Sequence, residues 1–260
     1  MRTATGGQVG RSFRLPRSRR LVTDTLHFAE KIPGQPLTRY CNVARLAGLR
    51  SRASVRIGWP VLFLKAYGLL SAETPALRQT YMRWPREHIY EHPVTAARMP
   101  ITREHEGEEW VFFLYIPEPE RRSLVELAGL VRESREAPVE SITKFRQQLV
   151  FSRLPRLLRR IAWWCTLNVS ARRRVGRFGT FGLTTVSAAG AISIKPPSLY
   201  TTMLTFGPIS ENGDVRVTIV YDHRVMDGML IARCLARLEE LLNTTVADEL
   251  EALCGSGTEA

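Results

Sequence analysis

Val215, Val217, Ile219 and Tyr221 alternate with Arg216, Thr218 and Val220. A period of two marks a strand with distinct faces. Asn212-Gly213 separates this run from residues 201–206, so the two segments are expected to pair as an antiparallel hairpin. Residues 110–116 form an apolar run of aromatic and β-branched character, which predicts another strand ended by Pro117-Glu118-Pro119. His88 and His92 flank a short strand at Ile89-Tyr90-Glu91. Helical spacing appears elsewhere. Residues 18–30 place Leu21, Thr25 and Phe28 near one face and stop at Pro33-Gly34. Residues 43–50 are a short helix, and residues 59–70 a buried one with Pro60 near its start. Residues 120–133 show the spacing through Leu124, Leu127, Leu130 and Val131. Residues 151–167 are expected to form one helix. A final helix puts Ile231, Leu235, Leu238 and Leu242 on one side. Helices alternating with strands that include a hairpin predict a single mixed α/β domain over residues 14–245. Residues 1–13 and 246–260 are expected to be disordered and loose, respectively.

Charge changes this picture in one segment. The chain of 260 residues carries a net charge of +12, nearly all of it arginine, with lysine only at Lys31, Lys65, Lys144 and Lys195. No acidic residue lies between Glu140 and Glu211, a stretch that holds Lys144, Arg146, Arg153, Arg156, Arg159, Arg160, Arg172, Arg173, Arg174, Arg177 and Lys195. Such a segment should attract an anionic partner: phosphate, an acidic protein or a membrane surface. Nucleic acid is not expected, because Trp163-Trp164 do not follow the pattern of aromatic platforms on strands. The hydrophobic content of 44% suits a globular core, and no run is long enough to span a bilayer. Cys41, Cys165, Cys234 and Cys254 lack metal-type spacing. They read as reduced thiols, which places the protein in the cytoplasm, with peripheral membrane contact left open. The Arg-rich, acid-free residues 1–20 also have the look of an organellar transit peptide, but Arg14 onward fits the domain.

Chemistry concentrates at Asp222-His223-Arg224-Val225-Met226-Asp227-Gly228, between the last strand and the last helix. An imidazole titrating near neutrality can take a proton from a thiol or hydroxyl and return it. A strand end holds such a base more rigidly than a free loop does, and Asp227 is four residues away. Spacing alone equally fits a helix N-cap at Asp227 and an ordinary surface or core histidine.

This stretch resembles the D-H-R-x-x-D-G signature of dihydrolipoamide acyltransferases, the core of 2-oxoacid dehydrogenase complexes. Other segments resemble that family in the same order. Arg19-Arg20 with Ile32-Pro33 is similar to its R-R-A-I-A helix and I-P turn, and residues 60–66 to its L-P-F-L-L-K-A helix. Residues 120–124 are similar to D-R-K-S-L, residues 179–185 to G-T-F-T-I-S-N, and residues 194–198 to I-N-P-P-Q. Several weak matches in order, over roughly residues 14–242, are more specific than any one of them. The resemblance implies a chloramphenicol acetyltransferase-like, mixed-sheet two-layer sandwich that assembles as a trimer with the site between subunits. It implies acyl transfer between a thioester, such as acyl-coenzyme A, and a thiol or other nucleophile, with coenzyme A as substrate and no metal. His223 would be the general base. Thr184 stands where the family has a serine that holds the oxyanion; its other reading is a β-branched strand residue. Asp227 would hold Arg20, or Arg19, and the local backbone, with Gly228 and Thr185 in support.

Two departures stand out. No lipoyl-bearing or subunit-binding domain and no Asp-Lys-Ala lipoylation site is found, so no covalent lipoyl group is expected. A basic insertion at about 145–177 has no family counterpart. Within it Leu154, Leu157, Leu158, Ile161 and Trp164 or Cys165 share one helical face, with Arg153, Arg156 and Arg160 on the other. This is an interfacial membrane helix, a helix packed on the domain with a solvated Arg face, or a docking surface for an acyl carrier or lipoyl protein. Two functions follow: a trimeric acyltransferase, or a non-catalytic trimeric module that binds anionic lipid or an acidic carrier through the insertion.

Overall fold

The computed structural model describes residues 10–255. The elements, in chain order, are α1 (Arg17–Ala29), β1 (Gly34–Asn42), α2 (Ala44–Arg52), α3 (Trp59–Glu73), β2 (Gln79–Met82), β3 (His88–Glu91), β4 (Ala96–His105) and β5 (Glu108–Pro117). They continue with α4 (Leu124–Glu136), α5 (Thr143–Arg153), α6 (Arg156–Asn168), α7 (Ala171–Phe178), β6 (Phe181–Thr184), β7 (Thr202–Ile209), β8 (Asp214–Asp222), α8 (Gly228–Asn243) and α9 (Thr245–Gly255). Six strands form one mixed sheet in the order β1-β8-β7-β6-β4-β5, and β2 pairs with β3 in a separate ribbon. Pairing is parallel at β6–β7 and β4–β6 and antiparallel at the other joins of the sheet.

Because side chains alternate along a strand, the sheet has two faces with different fates. Met99 opposes Leu114, Ile101 opposes Phe112, and Leu183, Leu204 and Ile219 lie in register, all buried. This face packs on the hydrophobic helix α3, with α4 and α8 beside it. Phe63 of α3 stacks on Phe206 of β7 with centroids 4.0 Å apart. The other face carries Arg98, Pro100, Phe113, Gly182, Thr184 and Met203. It is roofed by α1 and by the basic segment, which forms α5, α6 and α7.

The sheet edge at β5 is closed by α5: the Gln148 side chain accepts from the Phe113 N–H and donates to its carbonyl, which answers the backbone groups an edge strand leaves open. Helix α6 is clamped to α1. Arg159 Nε donates to Asp24 Oδ2 at 2.6 Å with both side chains buried, and Phe28 stacks on Trp163 at 5.8 Å.

Three expectations are corrected. The helix expected over 151–167 is two helices, because Pro155 cannot continue a helix and holds Leu154 extended (ψ 149°). The expected Arg face is solvated at Arg153 and Arg156 and partly so at Arg160, but the apolar face is not packed on the domain: Leu157 (71%), Leu158, Ile161 and Trp164 are exposed, and the interior residue is Arg159. The loose tail from residue 246 is instead α9 as far as Gly255, anchored by buried Val246, Ala247 and Leu250 against α2 and α8. Residues 1–9 of the basic N-terminus and 256–260 of the tail lie outside the described residues.

Candidate active site

Strand β8 ends at Asp222, and the chain turns there before α8 starts at Gly228. The turn is built from the sequence of the motif itself. Val225 and Met226 N–H groups donate to the Asp222 carbonyl. The buried Asp222 carboxylate accepts both Nε (2.9 Å) and Nη2 (2.7 Å) of Arg224, a bidentate pair with fixed geometry. Arg224 also lies 4.1 Å over the Tyr81 ring, which ties the turn to β2. Met226 is buried and anchors the far side of the turn. These contacts leave His223 between fixed neighbours: its N–H donates to the Pro33 carbonyl, and its ring lies 5.5 Å from that of Tyr221. The imidazole is half exposed, and its Nδ1 lies 3.6 Å from Asp227 Oδ1. Asp227 is the N-cap residue of α8, but its side chain makes no capping hydrogen bond and is largely exposed. Gly228 opens that helix; a Cβ there would stand 3.3 Å from the Tyr221 hydroxyl.

Arg20 does not meet Asp227 within one chain. Its Nη1 donates to the Ser152 carbonyl at 3.2 Å, and Arg19 lines a cavity under α1. Within the turn the paired groups are Arg224 and Asp222. The signal was present: Asp222 and Arg224 are the motif's first and third residues.

The second half of the site lies on β6. Gly179 adopts a left-handed φ of +78°, and a Cβ there would fall 2.6 Å from the Ala96 carbonyl oxygen, so only glycine fits. Thr180 N–H donates to that same carbonyl, and the Ala96 N–H donates to the Thr180 hydroxyl. The segment 179–185 is therefore a seat that places β6 against β4. At the end of β6, Thr184 is in register with Thr205 of β7, which faces Thr218 of β8. Thr205 is fully buried and its hydroxyl has no partner. Thr185 has its hydroxyl engaged by the Phe206 carbonyl and the Ser187 N–H.

Thr184 lines a cavity of about 820 Å³ between the second sheet face and the roof of α1 and α5–α7, and His223 does not. Register shows why. Thr184 is level with Thr218 on β8, five residues short of His223, so the two are roughly 16 Å apart along the strands and roughly 10 Å across them. One chain does not bring the His223 imidazole and the Thr184 hydroxyl together. Among the described residues no group of three or more His, Cys, Asp or Glu side chains could hold a metal ion, and no helix is long and apolar enough to cross a membrane.

No family profile and no curated protein sequence matches this chain. Solved structures do. A dihydrolipoamide acetyltransferase of Azotobacter vinelandii, studied for the catalytic roles of a serine, a histidine and an asparagine, is 17% identical with a TM-score of 0.67 over 94% of this chain and 95% of that one. A probable dihydrolipoamide acetyltransferase of Listeria monocytogenes is 14% identical with a TM-score of 0.63 over 93% and 95%. A truncated catalytic core of the 2-oxoacid dehydrogenase complex of Thermoplasma acidophilum is 14% identical with a TM-score of 0.64 over 90% and 99%. The chain has the fold of these acyltransferase cores.

Proposed function

We propose that this protein is an acyltransferase that moves an acyl group between a thioester, such as acyl-coenzyme A, and a thiol or other nucleophile. The observation that carries this is the fixed placement of His223 at the end of β8. Its backbone is bonded to Pro33, the Asp222–Arg224 pair sets its turn, and Asp227 lies within 3.6 Å of Nδ1. The fold supports the reading, and so does the Azotobacter protein, in which the histidine and asparagine studied are also four residues apart.

In the reaction His223 removes the proton from the attacking thiol. The thiolate adds to the thioester carbonyl, and the oxyanion of the tetrahedral intermediate accepts a hydrogen bond from the Thr184 hydroxyl. Collapse expels the first thiolate, which takes the proton back from His223. Asp227, four residues on, lies 3.6 Å from Nδ1 and faces the ring on that side. Since His223 and Thr184 are far apart in one chain, the site forms where His223 of one copy meets Thr184 of another, as in a trimer.

The test is acyl exchange between acyl-coenzyme A donors and a panel of thiols, amines and alcohols. Wild-type protein should show exchange. A folded His223→Ala variant should lose about 10²–10⁴ of the rate. Equal rates in the two proteins would remove His223 from its role.

A second reading rests on α6. Leu157, Leu158, Ile161 and Trp164 form an exposed apolar strip, with exposed Arg153, Arg156, Arg172 and Arg173 around it. An apolar strip with cations at its margins suits the interface of an anionic bilayer, and this reading makes the protein a peripheral membrane module. Flotation with vesicles of 30% phosphatidylserine, compared with neutral vesicles, tests it. A Leu157→Glu, Ile161→Glu variant should stay in solution. Equal flotation of variant and wild type would remove the helix from this role.

A further inference from the structure

The cavity beside Thr184 is apolar in most of its lining, through Leu21, Phe113, Phe151 and Met203 among others. Its size falls in the ordinary range for small-molecule sites, about 300–1,000 Å³. It differs from an ordinary apolar hollow in its cations. Arg98, Lys144 and Arg177 all line it, and no acidic residue does.

Arg98 is the unusual member. It projects from β4 on the same sheet face as Thr184, beside Gly182, two residues before Thr184 on β6. The residue is 8% exposed, and its Nε is buried with no hydrogen-bond partner. The guanidinium lies 5.6 Å over the Phe113 ring. Burial pulls its pKa down, and the groups placed to offset its charge, Tyr200 and Tyr115, are phenols that burial keeps neutral. Lys144 sits 4.9 Å over Tyr115 and donates to the Gly176 carbonyl at 3.3 Å. Its pKa is lowered by burial and then by the positive charges of Arg98 and Arg177. Arg177 donates to Thr166. Buried cations are normally paired, because an isolated one is costly. The contrast within this protein is sharp: Arg159 is as buried and has Asp24, and Arg174 donates to the carbonyls of Tyr81, Leu167 and Leu199. Arg98 has no such partner.

We propose that the cavity binds an apolar chain ending in an oxyanion, carboxylate or phosphate, with Arg98 and Lys144 on the anion and the chain along the apolar wall. Beside α1, the roof of this site comes from α5–α7, the basic segment for which the sequence resemblance has no counterpart. Only the further step, that the bound chain is acyl group or acceptor beside Thr184, rests on the acyl-transfer reading.

The experiment is a binding titration by calorimetry with three ten-carbon probes: decanoate, decyl phosphate and decanol. The result expected is that one or both anions bind about tenfold or more tighter than decanol. Decanoate and decyl phosphate separate the two sources of the anion. An Arg98→Met variant should lose that preference and, in the absence of probe, melt about 2 °C or more higher, since it removes an unpaired buried charge. A merely structural arginine would lower the melting temperature when replaced. Should Arg98→Met fail to fold, Lys144→Met, at a half-buried position, must weaken the anions relative to decanol. Equal binding of all three probes, no binding to folded wild type, or a preference that survives these substitutions would overturn the proposal. The titration is repeated on His223→Ala, which lies outside the cavity. Binding retained there with acyl exchange lost supports both readings; binding retained with no exchange in wild type would sink the acyl-transfer reading alone.

Discussion

One face of the central sheet is sealed and the other is open, although both are made from the same strands. On the sealed face Ile101, Phe112, Leu183 and Phe206 are buried against α3. On the open face, one residue along, stand Arg98, Phe113, Gly182 and Thr184, with a cavity over them. The sealed face spends most of its alternate positions on dispersion and apolar burial. The open face keeps a buried cation and a free strand-end hydroxyl, neither of which helps a chain to fold. Apolar packing and cavity lining are thus divided by the period of the strand.

That division is open to test in order of effect. Phe63→Ala on the sealed side removes a ring stacked on Phe206 at 4.0 Å and should cost about 3–5 kcal/mol in a denaturant titration. Val150→Ala at the exposed mouth of the cavity should stay within about 0.5 kcal/mol. Comparable losses at the two sites would dissolve the comparison. Thr184→Ala should leave the denaturation midpoint unchanged and slow acyl exchange by about 10²–10³, with Thr184→Ser retaining most of the rate.

A smaller and pH-dependent effect comes from His92. It is buried, and burial, followed by the charge of Arg174, lowers its pKa to about 4. The unfolded chain binds a proton near pH 6.5 that the folded chain refuses, so this contribution is complete above pH 6.5 and is lost as pH falls towards 4. The loss should reach roughly 2–3 kcal/mol at pH 4 relative to pH 7, and His92→Phe should flatten that slope. An unchanged slope would assign the acid sensitivity elsewhere.

Much of the sealed face was legible in the chain. The alternation from Val215 to Tyr221 and the Asn212-Gly213 turn became β8 and its hairpin with β7, with Gly213 at φ +84°. The apolar run at 110–116 became β5. Strand β4 leaves no clear alternation in the sequence, because Arg98, Pro100 and Arg103 interrupt its pattern; Arg98 and Pro100 line the cavity, and Arg103 reaches the Ser134 carbonyl of α4. Helix α9 left a signal in Val246, Leu250 and Leu253, at helical spacing, within a polar stretch. The orientation of α6 left none, since it depends on Asp24, 135 residues from Arg159.

At the site, the turn around His223 was legible as a motif that contains both Asp222 and Arg224, and their bidentate pairing is set by the geometry of the turn. The separation of His223 from Thr184 follows from register across three strands, which no local pattern contains. The chain therefore names its candidate groups more readily than it shows how they are spaced.

The most direct measurement is complementation between copies. His223→Ala and Thr184→Ala proteins are unfolded together, refolded as a mixture and assayed for acyl exchange. If the site joins His223 of one copy to Thr184 of the next, random assembly restores roughly one quarter of the wild-type sites, against two nearly inactive parents. A mixture no more active than its parents, from subunits shown to have mixed, would contradict a site shared between copies.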